Sequence, residues 1–273
     1  MKSIALGQFY PADSFLHRLD PRIKVILTIL YIVCTFLCKN IFSFSLLLLS
    51  AILLIACGKV PLRIILRGLK PVLFILVFTA VLNVFWTKGE QLLFAWRFIQ
   101  IYTEGIYAAF YIMIRITTLI IGTSMLLTYT TTPIALTDAL EDLLSPLKKL
   151  HVPVHEFSMM MTIALRFIPT LVEETDKIMT AQKARGADFS TGSLISRAKA
   201  LIPVLIPLFV SAFNRAGDLA TAMECRCYHG GEGRTRMHVR HVHFKDFVPL
   251  ILVVLFGASL IGLNILGTIY QIK

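Results

Sequence analysis

Charged side chains are scarce in this sequence. Only 16% of its 273 residues are Asp, Glu, Lys or Arg, whereas soluble globular proteins have about 25%. The apolar residues, with Trp, Tyr and Cys included, make up 56% of the chain, and the mean hydropathy is +0.76. This composition excludes a disordered chain, a coiled coil and an ordinary soluble enzyme. It indicates an all-α polytopic membrane protein.

Several motifs of enzyme chemistry are also missing. The sequence contains no G-x-x-x-x-G-K-[ST] segment for nucleotide phosphates, no H-E-x-x-H zinc motif and no G-x-S-x-G elbow. Its five cysteines are an odd number and do not form a secreted disulfide framework. We therefore predict that this chain carries no catalytic residue, no metal and no cofactor of its own, and that it is not an enzyme.

Long apolar segments dominate what is present. A transmembrane helix needs about 20 mostly apolar residues. Five segments come close to this length or exceed it, and we predict five transmembrane helices at 23–38, 41–57, 71–86, 105–129 and 247–270. No carboxylate lies inside them, which argues against a proton-coupled carrier. Arg115 is the one ionisable residue well inside a predicted span and is a candidate intramembrane functional residue; the alternative is a charge that faces a wet cavity or reaches toward the interface.

The positive charges are distributed unevenly along the chain. Of the 27 Lys and Arg residues, 22 fall in 1–24, 59–70 and 129–246. Because cytoplasmic loops are enriched in Lys and Arg, we predict a cytoplasmic N-terminus, an external C-terminus and a multi-pass position in the plasma membrane. The formal net charge of +11 suits contact with an anionic leaflet or an acidic partner. Nucleic-acid binding is not predicted, because no basic run is interleaved with aromatic residues.

The segment 129–246 is long but is not a soluble domain. Its pattern predicts helices at 133–150, 153–185 and 193–228. The last two would each be about 50 Å long and amphipathic, so they need the bilayer interface or another membrane subunit to lie on. The alternative is that they contain one or two further spans. We thus divide the chain into a transmembrane region of about four spans (1–128), a cytoplasmic platform of long helices (129–246) and a final transmembrane helix (247–273).

A short repeat ends both long helices. The segment T-A-Q-K-A-R-G at 180–186 aligns with T-A-M-E-C-R-C at 221–227, and its Thr, Ala and Arg are in register. An Arg alone at a helix C-terminus could simply complement the helix dipole. Two copies in one context instead favour a docking role, in which the planar guanidinium pairs with a carboxylate in a partner's groove. The candidate docking residues are Ala184, Arg185, Gly186, Cys225, Arg226 and Cys227.

The region 225–243 is rich in Cys, His and Arg. Its spacing matches no standard zinc module, so a basic segment next to the last span is the better interpretation. The alternative function is a membrane-embedded enzyme or metal-binding protein that uses this region, for example on an anionic lipid. The residues concerned are Cys225, Cys227, His229, His238, His241 and His243.

Three stretches resemble one known family over essentially the whole chain. They are G-Q-F-Y at 7–10 with Ser14, His17, L-D-P-R at 19–22 and Lys24; L-R-F-I-P at 165–169 through A-Q-K-A-R-G at 181–186; and A-M-E-C-R-C-Y at 222–228. They resemble the transmembrane T component of energy-coupling factor vitamin and metal importers. One departure is that the second motif reads Cys-Arg-Cys where the family has Ala-Arg-Gly. The Arg and its small neighbours suggest that docking is retained, whereas the role of the glycine is left open.

The resemblance implies a function without catalysis in this chain. A T component couples two cytoplasmic ABC-type ATPases, here expected to be a heterodimer that binds the ATP, to a small membrane S component that binds the substrate. Arg185 and Arg226 would insert into grooves on the two ATPases. The long helices would act as coupling helices that carry the S component and topple it during vitamin or micronutrient uptake in a prokaryotic cell membrane.

Overall fold

The computed structural model describes residues 9–87, 89, 92–96, 99–189, 191, 193–230 and 244–269. These residues form nine α-helices, with one π-helix, one 3-10 helix and one two-stranded ribbon between them. In chain order the elements are α1 Phe15–Arg18, α2 Pro21–Leu37, α3 Ile41–Gly58, α4 Leu62–Trp86, β1 Leu92–Trp96, β2 Ile99–Tyr102, α5 Thr103–Thr123, the π-helix Ser124–Thr128, α6 Pro133–Leu143, the 3-10 helix Ser145–Leu150, α7 Val154–Ala184, α8 Leu194–Cys225 and α9 Phe244–Ile269.

The helical membrane fold predicted from composition is confirmed. Within the described residues, five helices are long and apolar enough to cross a membrane: α3, α4, α5 with the π-helix, α8 and α9. The number agrees with the prediction, but the set differs. Helix α8, assigned above to the platform, is one of the five. Helix α2, predicted as a span, is not among them, since it has 17 residues and is about 25 Å long. The antiparallel ribbon of β1 and β2, which lies between α4 and α5, was not predicted.

The chain folds into two compact units. The bundle unit contains the described residues from 9 to 139 together with 244–269, and the long-helix unit contains those from 140 to 230. Helix α6 begins in the bundle unit and ends in the long-helix unit, because the division falls between Ala139 and Leu140.

Helix α2 lies at the centre of the bundle unit. It contacts α5, the π-helix and α9, and eight of its residues are buried. In lipid the hydrophobic effect does not drive helices together, so close packing at small residues takes its place. Gly122 of α5 is such a residue, because a Cβ there would overlap the ring of Tyr31. The buried apolar cluster around this contact contains Leu16, Tyr31, Cys34, Cys38, Phe44, Leu47, Leu126 and Leu260.

The last carbonyl groups of α2 are bound by side chains from two other helices. The Leu37 carbonyl accepts from Asn264 Nδ2 of α9 at 2.6 Å, and the Cys38 carbonyl accepts from an Arg115 guanidinium nitrogen of α5 at 2.8 Å. Asn264 Oδ1 also accepts from Ser43 Oγ at 2.8 Å. These bonds matter because a helix end leaves carbonyls without intrahelical partners, and lipid offers no water to replace them.

The predicted helix at 133–150 is wrong in its second half. Helix α6 ends at Leu143, and the chain continues as a 3-10 helix over Ser145–Leu150. Pro146 has no N–H for an α-helical hydrogen bond and clashes with the preceding turn, which explains the break. His151, with φ of 59°, then ends the segment in the left-handed conformation.

Candidate functional site

The two long helices α7 and α8 pack against each other in opposite directions. Glu174 of α7 pairs with Arg215 of α8 at 2.8 Å. Eight residues further along α7, Gln182 Nε2 lies 3.5 Å from the carbonyl oxygen of Pro203, which precedes Arg215 in α8. Because the residue numbers rise on one helix as they fall on the other, the helices are antiparallel.

This packing separates the two predicted docking arginines. Arg185 lies three residues beyond Gln182, close to the part of α8 that contains Pro203. Arg226 lies at the far end of α8, about 35 Å from Pro203 at a rise of about 1.5 Å per residue. The structure therefore places the arginines at opposite ends of the helix pair and not in one shared site.

A Schellman motif ends α7 at the first arginine. The helix stops at Ala184, and Arg185 occupies the C-cap position with φ of −85° and ψ of 5°. Gly186 follows with φ of +89°. Its N–H donates to the Lys183 carbonyl at 3.0 Å, and the next N–H donates to the Gln182 carbonyl at 3.0 Å. This pair of bonds defines the motif, which binds carbonyls left open at the helix end.

The same motif ends α8 at the second arginine. The helix stops at Cys225, three residues before the predicted end, and Arg226 occupies the C-cap position. Cys227 has φ of +55°, and its N–H donates to the Glu224 carbonyl at 2.9 Å. The N–H of Tyr228 donates to the Met223 carbonyl at 3.1 Å. Cys227 thus adopts the conformation that Gly186 has in the first copy, so the cap forms without glycine.

Both guanidinium groups are available to a partner. Arg185 and Arg226 are exposed, and in the part of the chain that the structure describes neither side chain forms a hydrogen bond or an ion pair. The carbonyls of each last turn are already bound by the backbone N–H groups of the cap. The arginines are therefore not needed as capping side chains. An Arg here still complements the helix dipole, but the repeated, exposed geometry favours a binding role.

The neighbours of the two arginines are small and exposed as well. Ala184, Gly186, Cys225 and Cys227 are all on the surface, and both cysteines are free thiols. The residues directly beside each arginine in the chain therefore add little bulk next to the guanidinium.

The long helices carry two kinds of apolar surface. One lies between them, around a cavity of about 250 Å³ lined by Ile163, Phe167 and Leu171 of α7 and by residues of α8 that include Ala212 and Ala216. The other is exposed to the outside. Its members are Phe157, Met160, Met161 and Ile168 of α7 and Leu201, Ile202, Leu205, Ile206, Phe209, Val210 and Phe213 of α8. Exposed apolar surface of this kind marks contact with a protein or a membrane.

Arg115 does not join this site. Its side chain lies in the bundle unit, where it binds the Cys38 carbonyl and lies 5.4 Å from the centre of the Phe44 ring, a cation–π distance. These contacts fasten α5 to the end of α2 and to α3. They give Arg115 a structural role, and a functional role stays a prediction.

The Cys/His/Arg-rich region is only partly covered. Residues 231–243, which include His238, His241 and His243, lie outside the described residues, as do Gly7 and Gln8 of the N-terminal stretch. Within the described ranges, no group of three or more His, Cys, Asp or Glu side chains could hold a metal ion.

Comparison with known proteins adds an independent observation. Residues 12–239 match the CbiQ family, described as cobalt transport protein. The chain is 54% identical over 255 residues to the energy-coupling factor transporter transmembrane protein EcfT of Ruminiclostridium cellulolyticum, covering 93% of this chain and 95% of that protein. It is 51% identical to the EcfT of Clostridium kluyveri over 91% and 92% of the two chains, and 46% identical to that of Bacillus subtilis over 97% and 99%.

Proposed function

Because this chain belongs to the CbiQ family of cobalt transport proteins, we propose that it is the coupling subunit of an energy-coupling factor importer. It is a multi-pass bacterial membrane protein whose relatives are transmembrane subunits of such transporters. In this proposal, two cytoplasmic ABC-type ATPases bind and hydrolyse ATP, a small membrane S component binds a vitamin or another micronutrient, and this chain joins them.

The observation that carries the proposal is the pair of caps at Arg185 and Arg226, which have the same hydrogen-bond pattern. Two sites of one geometry at opposite ends of an antiparallel helix pair suit two partners of one fold. Each guanidinium supplies a planar fork that can form two hydrogen bonds to a carboxylate. The small residues beside each arginine allow a groove to close around it.

The exposed apolar faces of α7 and α8 support the other half of the proposal. They give a membrane-embedded S component a surface to lie against, on the helices that end at the two docking arginines. Movement of the ATPases would then reach the S component through two long helices of 31 and 32 residues. No chemistry is required of this chain.

The test is co-purification of the ATPases together with substrate uptake. The variants are Arg185→Ala, Arg226→Ala and the double substitution, with Arg197→Ala as a control because Arg197 is also exposed and lies in α8. Loss of one partner from a buried charged pair costs about 2–5 kcal/mol, or roughly 30-fold to several-thousand-fold in affinity. Each single variant should show weaker uptake and keep some ATPase, since the other site still tethers the ATPase pair.

The double variant should lose the ATPases while it remains in the membrane with its S component. Arg→Lys at either position should restore docking only in part, because an ammonium is a point charge without the planar fork. Retention of both ATPases and full uptake by the double variant would show that these arginines are ordinary helix-end charges.

A further inference from the structure

A buried lysine lies where the bundle unit leads into α6. Lys24, in the first turn of α2, is 1% exposed. Its Nζ donates to the Thr130 carbonyl at 2.9 Å, and the Thr131 Oγ1 and the His17 carbonyl each lie 3.4 Å away. The ammonium therefore connects the N-terminal segment to residues more than 100 positions later in the chain.

A second set of bonds reinforces this connection. The Tyr10 N–H donates to the Tyr129 carbonyl at 3.0 Å. The Tyr10 carbonyl in turn accepts from His17 Nε2 at 2.8 Å, and His17 Nδ1 lies 2.7 Å from Ser14 Oγ. We call the four residues Tyr10, Ser14, His17 and Lys24 the N-terminal clasp. All four belong to the stretch on which the family resemblance was based.

The segment that the clasp holds lies in the bundle unit and leads into α6, the helix within which the division between the two units falls. Residues 129–132 follow the π-helix Ser124–Thr128 and precede α6, which continues into the long-helix unit. π-helical turns are rare and occur frequently at functional sites. The covalent path from α6 back to the π-helix and α5 therefore runs through residues 129–132.

We propose that Lys24 is a positioning residue for energy coupling. It holds the Thr130–Thr131 turn in place, so that a movement of α6 is passed to the rest of the bundle unit. This inference rests on the function proposed above and adds a role for the clasp. A hydrogen bond from an ammonium is roughly twice as strong as a neutral one, and here it is shielded from water. Without it the turn loses its buried charged contact, and displacement of α6 moves the turn alone.

The experiment uses the full complex of this chain with the two ATPases and the S component in membrane vesicles. Three quantities are measured: ATPase retained on pull-down, ATP hydrolysis, and substrate uptake. Lys24→Met removes the ammonium and keeps the length of the side chain. Lys70→Met is the matched control, because Lys70 is exposed and the charge change is the same.

The expected result is a loss of coupling without a loss of assembly. Lys24→Met should retain the ATPases and most ATP hydrolysis, while uptake per ATP hydrolysed falls by about tenfold or more, the scale of one lost charged hydrogen bond. Lys24→Arg keeps a charged donor and should recover part of the loss. Lys70→Met should behave as the unchanged chain does.

A second variant keeps the proposal testable if Lys24→Met fails to assemble. Thr131→Val removes the hydroxyl acceptor at nearly constant volume and should lower uptake per ATP by about threefold, as one weaker hydrogen bond. Its control is Thr28→Val, at a buried threonine whose hydroxyl donates to the Lys24 carbonyl within α2 at 2.7 Å. This control should leave uptake per ATP unchanged.

Two outcomes would overturn the inference while leaving the proposed function intact. One is assembled Lys24→Met and Thr131→Val complexes with the unchanged ratio of uptake to hydrolysis. The other is a proportional fall of both rates, which indicates a general structural role. A chain with its native sequence that binds no ATPase would instead contradict the proposed function, and this inference with it.

Discussion

Gly186 and Cys227 occupy equivalent positions in two helix caps. Each follows a C-cap arginine and has a positive φ, +89° for the glycine and +55° for the cysteine. Each N–H donates to the carbonyl three residues earlier. The left-handed conformation costs roughly 1–2 kcal/mol for a residue with a Cβ and nothing for glycine. The two caps therefore share a geometry but differ in conformational strain.

The first prediction concerns Gly186. Gly186→Ala should destabilise the end of α7 by about 1 kcal/mol, because the new Cβ meets no atom within 4 Å and only the backbone strain counts. Gly217→Ala is the matched control, since Gly217 lies inside α8 with equally free space. It should stabilise by about 0.5–1 kcal/mol through helix propensity. Thermal unfolding in detergent measures the change in stability of both variants. Changes of the same sign would contradict the prediction.

The second prediction concerns Cys227. Cys227→Gly should stabilise the end of α8 by up to about 1 kcal/mol, because it removes the left-handed strain and the exposed thiol packs against little. Docking of the ATPase should be retained. Cys225→Ala, in the last turn of α8, should change stability by less than about 0.5 kcal/mol. Loss of docking in Cys227→Gly would show that the thiol itself contacts the partner.

The third prediction concerns the contact between α2 and α5. Gly122→Ala places a Cβ in the buried ring of Tyr31 and should destabilise the bundle unit by about 1–3 kcal/mol or more. Gly262→Ala in α9 meets no atom within 4 Å and should be tolerated. The yield of folded protein in mild detergent and its thermal unfolding distinguish the two. A Gly122→Ala variant as stable as Gly262→Ala would mean that the helices can move apart freely.

The fourth prediction separates a structural from a functional Arg115. Arg115→Met leaves the Cys38 carbonyl without its donor and should cost about 1–3 kcal/mol of stability. Asn264→Leu removes the donor to the neighbouring Leu37 carbonyl and should cost a similar amount. Uptake per ATP hydrolysed by the folded fraction should not change in either variant. A specific fall in this ratio for Arg115→Met alone would instead support the intramembrane functional role.

The fifth prediction concerns the ion pair between the long helices. A double-mutant cycle of Glu174→Gln and Arg215→Met should give a coupling energy of about 1 kcal/mol, because both side chains are partly shielded from solvent. The pair Arg18–Asp13, at 3.8 Å with both side chains mostly exposed, should give no measurable coupling. Equal coupling in the two cycles would mean that burial does not strengthen the pair between α7 and α8.

The spans of the bundle unit were largely predictable because apolar length is a local property. The predicted segments 41–57, 105–129 and 247–270 agree with α3, α5 with the π-helix, and α9 within three residues at each end. Gly186 likewise predicted the end of α7, because glycine adopts the left-handed conformation that often ends a helix more easily than other residues do. The family resemblance, also read from local motifs, is confirmed.

Features that depend on contacts between distant residues were not predictable. Nothing beside Cys227 in the sequence indicates a left-handed residue, so the predicted helix continued to 228. Asn264 was not recognised, since its role depends on the end of α2 lying beside α9. The place of Lys24 depends in the same way on the turn at Thr130 and Thr131. The choice between α2 and α8 as a span was missed for two different reasons. Helix α2 has only 17 residues, whereas the 32-residue α8 is long enough but reads as amphipathic.

The shortest of the hydrogen bonds described above for Lys24, Arg115 and Asn264 share one property. Each ends on a main-chain carbonyl, that of Thr130, Cys38 or Leu37. A carbonyl is present whichever side chain its residue carries. Substitution at the accepting positions therefore leaves the bond in place, while substitution at the donors removes it. Tolerance to mutation is then one-sided across each of these three bonds, and we expect them to produce no co-variation between the paired positions.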